Sequence, residues 1–235
     1  MTSESEAETV PWIADKHVKY AYAYDKGGKV ARFFGVSGIP HAVLIDPNGR
    51  VVWAGSPFTL DDETIQSSLT GALLQPLFDW PASAKGVTQS LAKGDFAGAV
   101  AKAAKVPAAD GGADIAAQVQ AIVEGQVKSA EAALAAGNFY DARERGEILG
   151  KGLEGLPEQA RAKKVVADVD ANPDAKRVLD GQKAIRKLRA KGLTKRKDLE
   201  KAMEDLKKLS TELRGTYAAT EAEAYMEQIR GQLQK

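Results

Sequence analysis

The sequence predicts an α/β segment, residues 1–80, followed by an all-α helical-hairpin domain, residues 83–235. Three observations carry that prediction. Val36 to Gly55 reads as an apolar strand, a tight turn and a returning strand. Around Gln75-Pro76-Leu77-Phe78-Asp79-Trp80-Pro81 the strand signals stop. From Ala82 onward the chain is rich in Ala, Lys, Glu and Leu, with Gly and Pro punctuating long helical stretches.

In chain order, Ser3 or Ser5 begins a helix whose first turn holds Glu4, Glu6 and Glu8, charges that suit a helix N-terminus. Val10, Ile13 and Ala14 form its apolar side, and Trp12 lies near its end. Val18 to Tyr24 alternates with period two and reads as a short strand. Its three tyrosines fit the half-buried face of an edge strand better than a ligand-stacking platform. Asp25 ends that strand, and Lys26-Gly27-Gly28 turns into a helix from about Lys29 to Phe34, with the Phe33–Phe34 pair expected under the sheet. His41 to Ile45 has the composition of a strand buried on both faces. Pro40 opens it, where a missing N–H is tolerated and where an X-Pro bond admits the cis form. In Asp46-Pro47-Asn48-Gly49, proline presets φ, glycine accepts φ > 0 and the aspartate bonds the backbone ahead. Arg50 to Trp53 then returns antiparallel. A helix of about Asp62 to Leu74 follows, capped by Thr59 or Asp61, and its N-terminus explains the trio Asp61, Asp62 and Glu63 without a metal.

The string from Phe34 to Gly55, FGVSGIPHAVLIDPNGRVVWAG, resembles the second half of a thioredoxin-like domain, most closely that of redoxins and TlpA-like thiol–disulfide oxidoreductases. The resemblance covers roughly the first third of the chain. It implies that Pro40 is the family's cis-proline and that Ile39 and Pro40 form the substrate-binding site, the Ile39 backbone meeting an extended substrate strand. It also implies a bacterial cell-envelope or periplasmic setting. The chain contains no cysteine, so it has no CxxC pair and no thiolate to attack sulfur. The family's cysteine motif sits near its first helix, upstream of the residues that match. Met1 to Glu6 looks like the end of the strand that follows that helix. The resemblance therefore implies a thioredoxin-like domain cut before its catalytic unit. The rival is a domain that evolved without cysteines. Because a whole strand–helix–strand unit is missing, truncation is the stronger expectation.

The helical part contains an internal echo. Gly94-Asp95-Phe96-Ala97-Gly98-Ala99 and Gly137-Asn138-Phe139-Tyr140-Asp141-Ala142 share the form G-[DN]-F-x-x-A. Glycine stops one helix, Asp or Asn caps the next, Phe anchors between them and Ala permits close approach. This resembles the turn of a tetratricopeptide hairpin, although the copies lie 43 positions apart where that family repeats at about 34. Gly215-Thr216-Tyr217-Ala218-Ala219 reads as a degenerate third copy, and Pro107 to Gly112 as a loop. The expected helices are 83–92, 96–104, 114–136, 139–153, 158–171, 174–191, 195–213 and 220–234.

Several chemistries find no support. No apolar run approaches the roughly 18 residues that cross a membrane. His17 and His41 have no companion ligands at metal spacing, no glycine-rich phosphate loop follows a strand, and no Ser-His-Asp set assembles. No cofactor and no catalytic residue is expected. Residues 176–214 carry fourteen basic and six acidic side chains, a net of +8, but no aromatic is interleaved for base stacking, so nucleic acid is not an expected partner. Protein or peptide partners are expected, together with self-association through the edge of the first strand.

Two function classes follow. One is the downstream part of a thiol–disulfide oxidoreductase whose redox cysteines lie outside this chain. The other is a non-catalytic interaction scaffold, in which a redox-dead thioredoxin-like module is joined to a TPR-like helical domain.

Overall fold

The structure is a computed structural model that describes residues 2, 4–18, 22–36, 38–47, 51–69, 80–193 and 195–233. Among the described residues there are eleven α-helices and one two-stranded sheet.

The N-terminal segment holds α1 (Glu6–Asp15), α2 (Lys29–Phe33), β1 (Ala42–Ile45), β2 (Val51–Gly55) and α3 (Asp62–Ser68). Each helix start is set by a short-range polar contact. The Ser5 N–H and hydroxyl both donate to the Glu8 carboxylate, at 2.9 and 2.7 Å. The Asp25 carboxylate accepts the Val30 and Ala31 N–H groups at 3.0 and 2.9 Å, which holds its pKa below the ordinary value. The Asp61 carboxylate accepts the Thr64 N–H at 2.6 Å, confirming the acidic trio as a helix start. Thr2 pairs in parallel with Tyr24, and the Thr9 hydroxyl lies 2.7 Å from that of Tyr24.

β1 and β2 pair antiparallel as the sequence predicts, with Ala42 opposite Gly55 and Leu44 opposite Trp53, and an irregularity between Leu44 and Ile45. The turn residues 48–50 lie outside the described residues, as do 70–79, where the end of the expected 62–74 helix falls.

Three expectations in this segment are corrected. Val18 to Tyr24 is no continuous strand: Val18, Tyr22 and Ala23 are irregular, and only Tyr24 bridges to Thr2, residues 19–21 lying outside the description. Phe33 is not under the sheet but 78% exposed, its ring edge-on to that of Phe34. β1 is not buried on both faces, since Ala42 to Leu44 are half-buried and Ile45 is exposed. One physical reason covers the last two. Among the described residues the sheet has two strands, and no described helix packs extensively against it.

The helical part runs α4 (Lys85–Ala92), α5 (Phe96–Ala103), α6 (Gly112–Ala135), α7 (Phe139–Gly152), α8 (Glu158–Ala171), α9 (Ala175–Ala190), α10 (Arg196–Glu212) and α11 (Tyr217–Leu233). The expected 83–92 helix opens as a 3-10 turn over Ala82–Ala84 and becomes α-helical at Lys85, another 3-10 turn occupies Ala108–Asp110, and α11 starts at Tyr217 where Thr220 was expected. α6 shows why the array forms. Ile115, Val119, Val123 and Val127 recur every four residues and are almost fully buried along one face. Each such side chain contributes roughly 1.5–3 kcal/mol on burial.

The three echoing turns share one geometry. Gly94, Gly137 and Gly215 have φ of +71°, +72° and +81°, the left-handed conformation that ends a helix. Asp95 accepts the Gly98 N–H at 2.9 Å, Asn138 the Asp141 N–H at 3.3 Å, and Thr216 the Ala219 N–H at 3.4 Å. Phe96 and Phe139 are then buried at the first helical position, while Tyr217 stays partly exposed.

The first of these turns seats on α7 through a glycine. A Cβ at Gly152 would lie 2.0 Å from the Gly94 carbonyl oxygen, which is backbone and has nowhere to go. A Cβ at Gly150 would meet only the Lys163 side chain, at 3.6 Å. Gly152→Ala is therefore expected to lower the unfolding free energy by about 1–3 kcal/mol, and Gly150→Ala to raise it by up to about 1 kcal/mol. Urea denaturation followed by circular dichroism checks the contrast.

Candidate functional site

The Ile39–Pro40 bond is cis, the geometry the resemblance implies for Pro40. Ile39 is 92% exposed, Pro40 is also exposed, and β1 begins two residues later with its side away from β2 unpaired among the described residues. The structure thus brings the two residues expected to bind an extended strand together at an open sheet edge. His41 next to them is half-buried, with its Nε2 buried and unpaired.

The N-terminal segment as a whole exposes apolar surface. Among the described residues of 2–69 no apolar side chain is buried, whereas eleven large apolar or aromatic side chains are exposed, Phe33, Ile39 and Phe58 most of all. Residues 80–233 expose two, Ile148 and Tyr217.

A second polar constellation lies where α7, α9 and α11 meet. α9 offers Gln182, Arg186 and Arg189 at i, i+4 and i+7, α11 offers Tyr217, Glu221 and Tyr225 at four-residue spacing, and the α7 start offers Asn138, Tyr140 and Asp141. Gln182, fully buried, donates to the Asn138 side-chain oxygen at 2.7 Å and accepts the Tyr140 N–H at 3.0 Å. Arg186 pairs with Asp141 and stacks 4.1 Å above the Tyr140 ring. Arg189 reaches Glu221 at 4.0 Å and stacks 4.9 Å over Tyr225.

Burial raises the Glu221 carboxyl above its ordinary value, opposed by Arg189 and Arg186 and by a hydrogen bond from Gln182, and assisted by the negative charge of Asp141. The Glu221 Oε2 and the Arg186 Nε are buried without a partner. Two guanidiniums thus balance two carboxylates, and the fixed amide pair ties the α6–α7 turn to α9. This arrangement orients the three helices relative to one another. The sequence reading missed it, although Gln182 stands on the apolar face between Val178 and Ile185, where an unexplained polar residue signals a buried bond.

No protein-family model matches the chain, and neither a curated protein nor a solved structure matches it. The described helices include none long and apolar enough to cross a membrane.

The raised carboxyl has a definite sign. Glu221 holds its proton more tightly folded than unfolded, so its stabilising contribution is full below the ordinary glutamate range and is lost as pH rises through the folded value. Glu124 and Glu131, lowered first by hydrogen bonds from Arg161, act in the opposite sense and lose their contribution as pH falls. Glu221→Gln is expected to gain in melting temperature relative to the parent as pH rises from about 4 to about 7. Paired thermal melts across that range measure the difference, from which the contributions common to both proteins cancel.

Proposed function

We propose that this chain is a non-catalytic protein-interaction scaffold, in which a thioredoxin-like segment over residues 1–80 presents an extended-strand site and a TPR-like helical domain over residues 83–235 carries it. The strand site is Ile39, Pro40 and the open edge of β1, and its occupant is an extended apolar segment of a partner protein, added by β-augmentation.

One observation carries this reading. Among the described residues, the exposed apolar side chains are concentrated in 10–69, where no described apolar side chain is buried, while residues 80–233 hold three apolar cores. Apolar surface on that scale is a recognition surface or an aggregation liability. The antiparallel pair directly after Pro40 supports the thioredoxin-like assignment of the segment. With no thiolate in the sequence, the same site binds without exchanging sulfur. A chain of this kind that supplies part of a thiol–disulfide oxidoreductase would depend on cysteines from elsewhere.

The test is titration with a fluorescein-labelled, Val- and Thr-rich extended peptide, read by anisotropy. The parent chain is expected to bind, and Ile39→Asp to weaken binding by about 1–3 kcal/mol, since it places a charge against an apolar strand. The parent is expected to show no insulin reduction with dithiothreitol above background. Undiminished binding by Ile39→Asp overturns the assigned site. Thiol-dependent turnover overturns the non-catalytic reading.

A further inference from the structure

Between α9 and α10 lies a cleft of about 350 Å³ whose floor is Ala184, Leu188 and Leu209. Lys187 and Lys191 line one wall, and Lys208, Asp205 and Glu212 the other. Residues 176–214 carry +8 while the whole chain carries +1, so the remainder carries −7 and the positive charge is concentrated here. The two cation types are used differently. Four of the five arginines in this stretch are already committed to carboxylates: Arg177 to Asp174, Arg186 to Asp141, Arg189 to Glu221 and Arg196 to Glu200. Of its nine lysines, only Lys208 makes an ion pair among the described residues, with Glu212 at 3.9 Å. Lys183, Lys187 and Lys191 follow one another at four-residue spacing, all exposed and unpaired among the described residues.

We propose that this cleft binds an acidic amphipathic helix of a partner protein, its apolar residues seated on Leu188 and Leu209 and its carboxylates facing Lys183, Lys187 and Lys191. The inference rests on the scaffold reading above and adds a second, separate docking surface to it. Charge complementarity selects the acidic partner, and the apolar floor selects an amphipathic one. Nucleic acid is disfavoured on the same facts. Four of the five planar guanidinium forks that engage phosphate in pairs are occupied, and the stretch holds no aromatic side chain for stacking. Asp205 and Glu212 on the α10 wall repel a polyanion that would cover both helices, and they steer the acidic face of a narrow ligand toward α9.

The experiment is anisotropy titration of the full chain with a fluorescein-labelled peptide of Glu and Leu in helical alternation. The Leu→Ser and Glu→Gln forms of that peptide, a short single-stranded DNA and phosphatidylglycerol vesicles serve as competing probes. Saturable binding of the Glu/Leu peptide is expected, with the Lys187→Glu/Lys191→Glu double variant about tenfold or more weaker and Lys197→Glu, which lies off the cleft, close to the parent. Retained helicity by circular dichroism shows that the variants fold. Equal binding by the double variant, equal binding of the Leu→Ser peptide, or tighter binding of DNA or vesicles overturns the inference. The Val/Thr-rich peptide is titrated against the same double variant. Its unchanged binding, with the Glu/Leu peptide failing to bind the parent, overturns the cleft alone and leaves the β1 site standing.

Discussion

The Gly94 carbonyl oxygen occupies the space in which any side chain at position 152 would begin, and the Leu213 side chain does the same at Gly181, 2.2 Å from where a Cβ would stand. At Gly146 the obstacle is Val166, at 2.7 Å. These close approaches let a turn or a neighbouring helix seat directly on backbone. They fix how α4–α5 meets α7, how α10–α11 meets α9, and how α7 meets α8. The cores that fill the remaining space are alanine and valine rich, as such short separations require. Gln182 completes the scheme from inside, holding the α6–α7 turn by its cap residue Asn138. A buried amide pair of this kind stabilises only because every member finds a partner, so it specifies one helix arrangement among several that apolar contacts alone would permit.

The N-terminal segment obeys a different balance. Its helices start on well-formed local contacts and its two described strands pair, yet among the described residues it is Thr9, Asp25 and Asp46 that are buried, and no apolar side chain is. Local hydrogen bonds shape the elements without supplying the burial that makes a core. That imbalance leaves Ile39, Phe33 and Phe58 on the surface, and Ile39 lies just before a strand whose outer edge is unpaired among the described residues. The same imbalance makes a covering partner strand favourable, because the partner adds both the missing ladder and the missing apolar layer.

The helical boundaries were legible because their signals are local. Pro157, Asn172-Pro173 and Gly192 mark breaks that backbone chemistry enforces, and α8 runs over the expected 158–171. The third turn at Gly215 was legible for the same reason, as left-handed glycine followed by a capping hydroxyl needs no tertiary context. The hairpin at 42–55 was legible from its apolar runs and turn residues. Burial in the N-terminal segment was not, because composition reports what a strand is able to bury and not whether a second layer exists to bury it. Phe33 and β1 were misread on that account. The constellation around Gln182 and Glu221 was hidden because its members come from three helices at least 28 positions apart in sequence. The Lys-rich stretch was visible as charge. Which cations remain free became visible only once Arg177, Arg186, Arg189 and Arg196 were seen to be engaged.

The most direct measurement of the central claim, that the helical array is the cored body and the β1–β2 segment an uncovered one, is native-state amide hydrogen exchange resolved by residue. The account predicts that core amides of α6, α7 and α11 exchange only through global unfolding, while those of Ala42–Ile45 and Val51–Gly55 exchange through local opening at much lower free energy. Equal protection of the two sets, in a protein that light scattering shows to be a monomer, would contradict it.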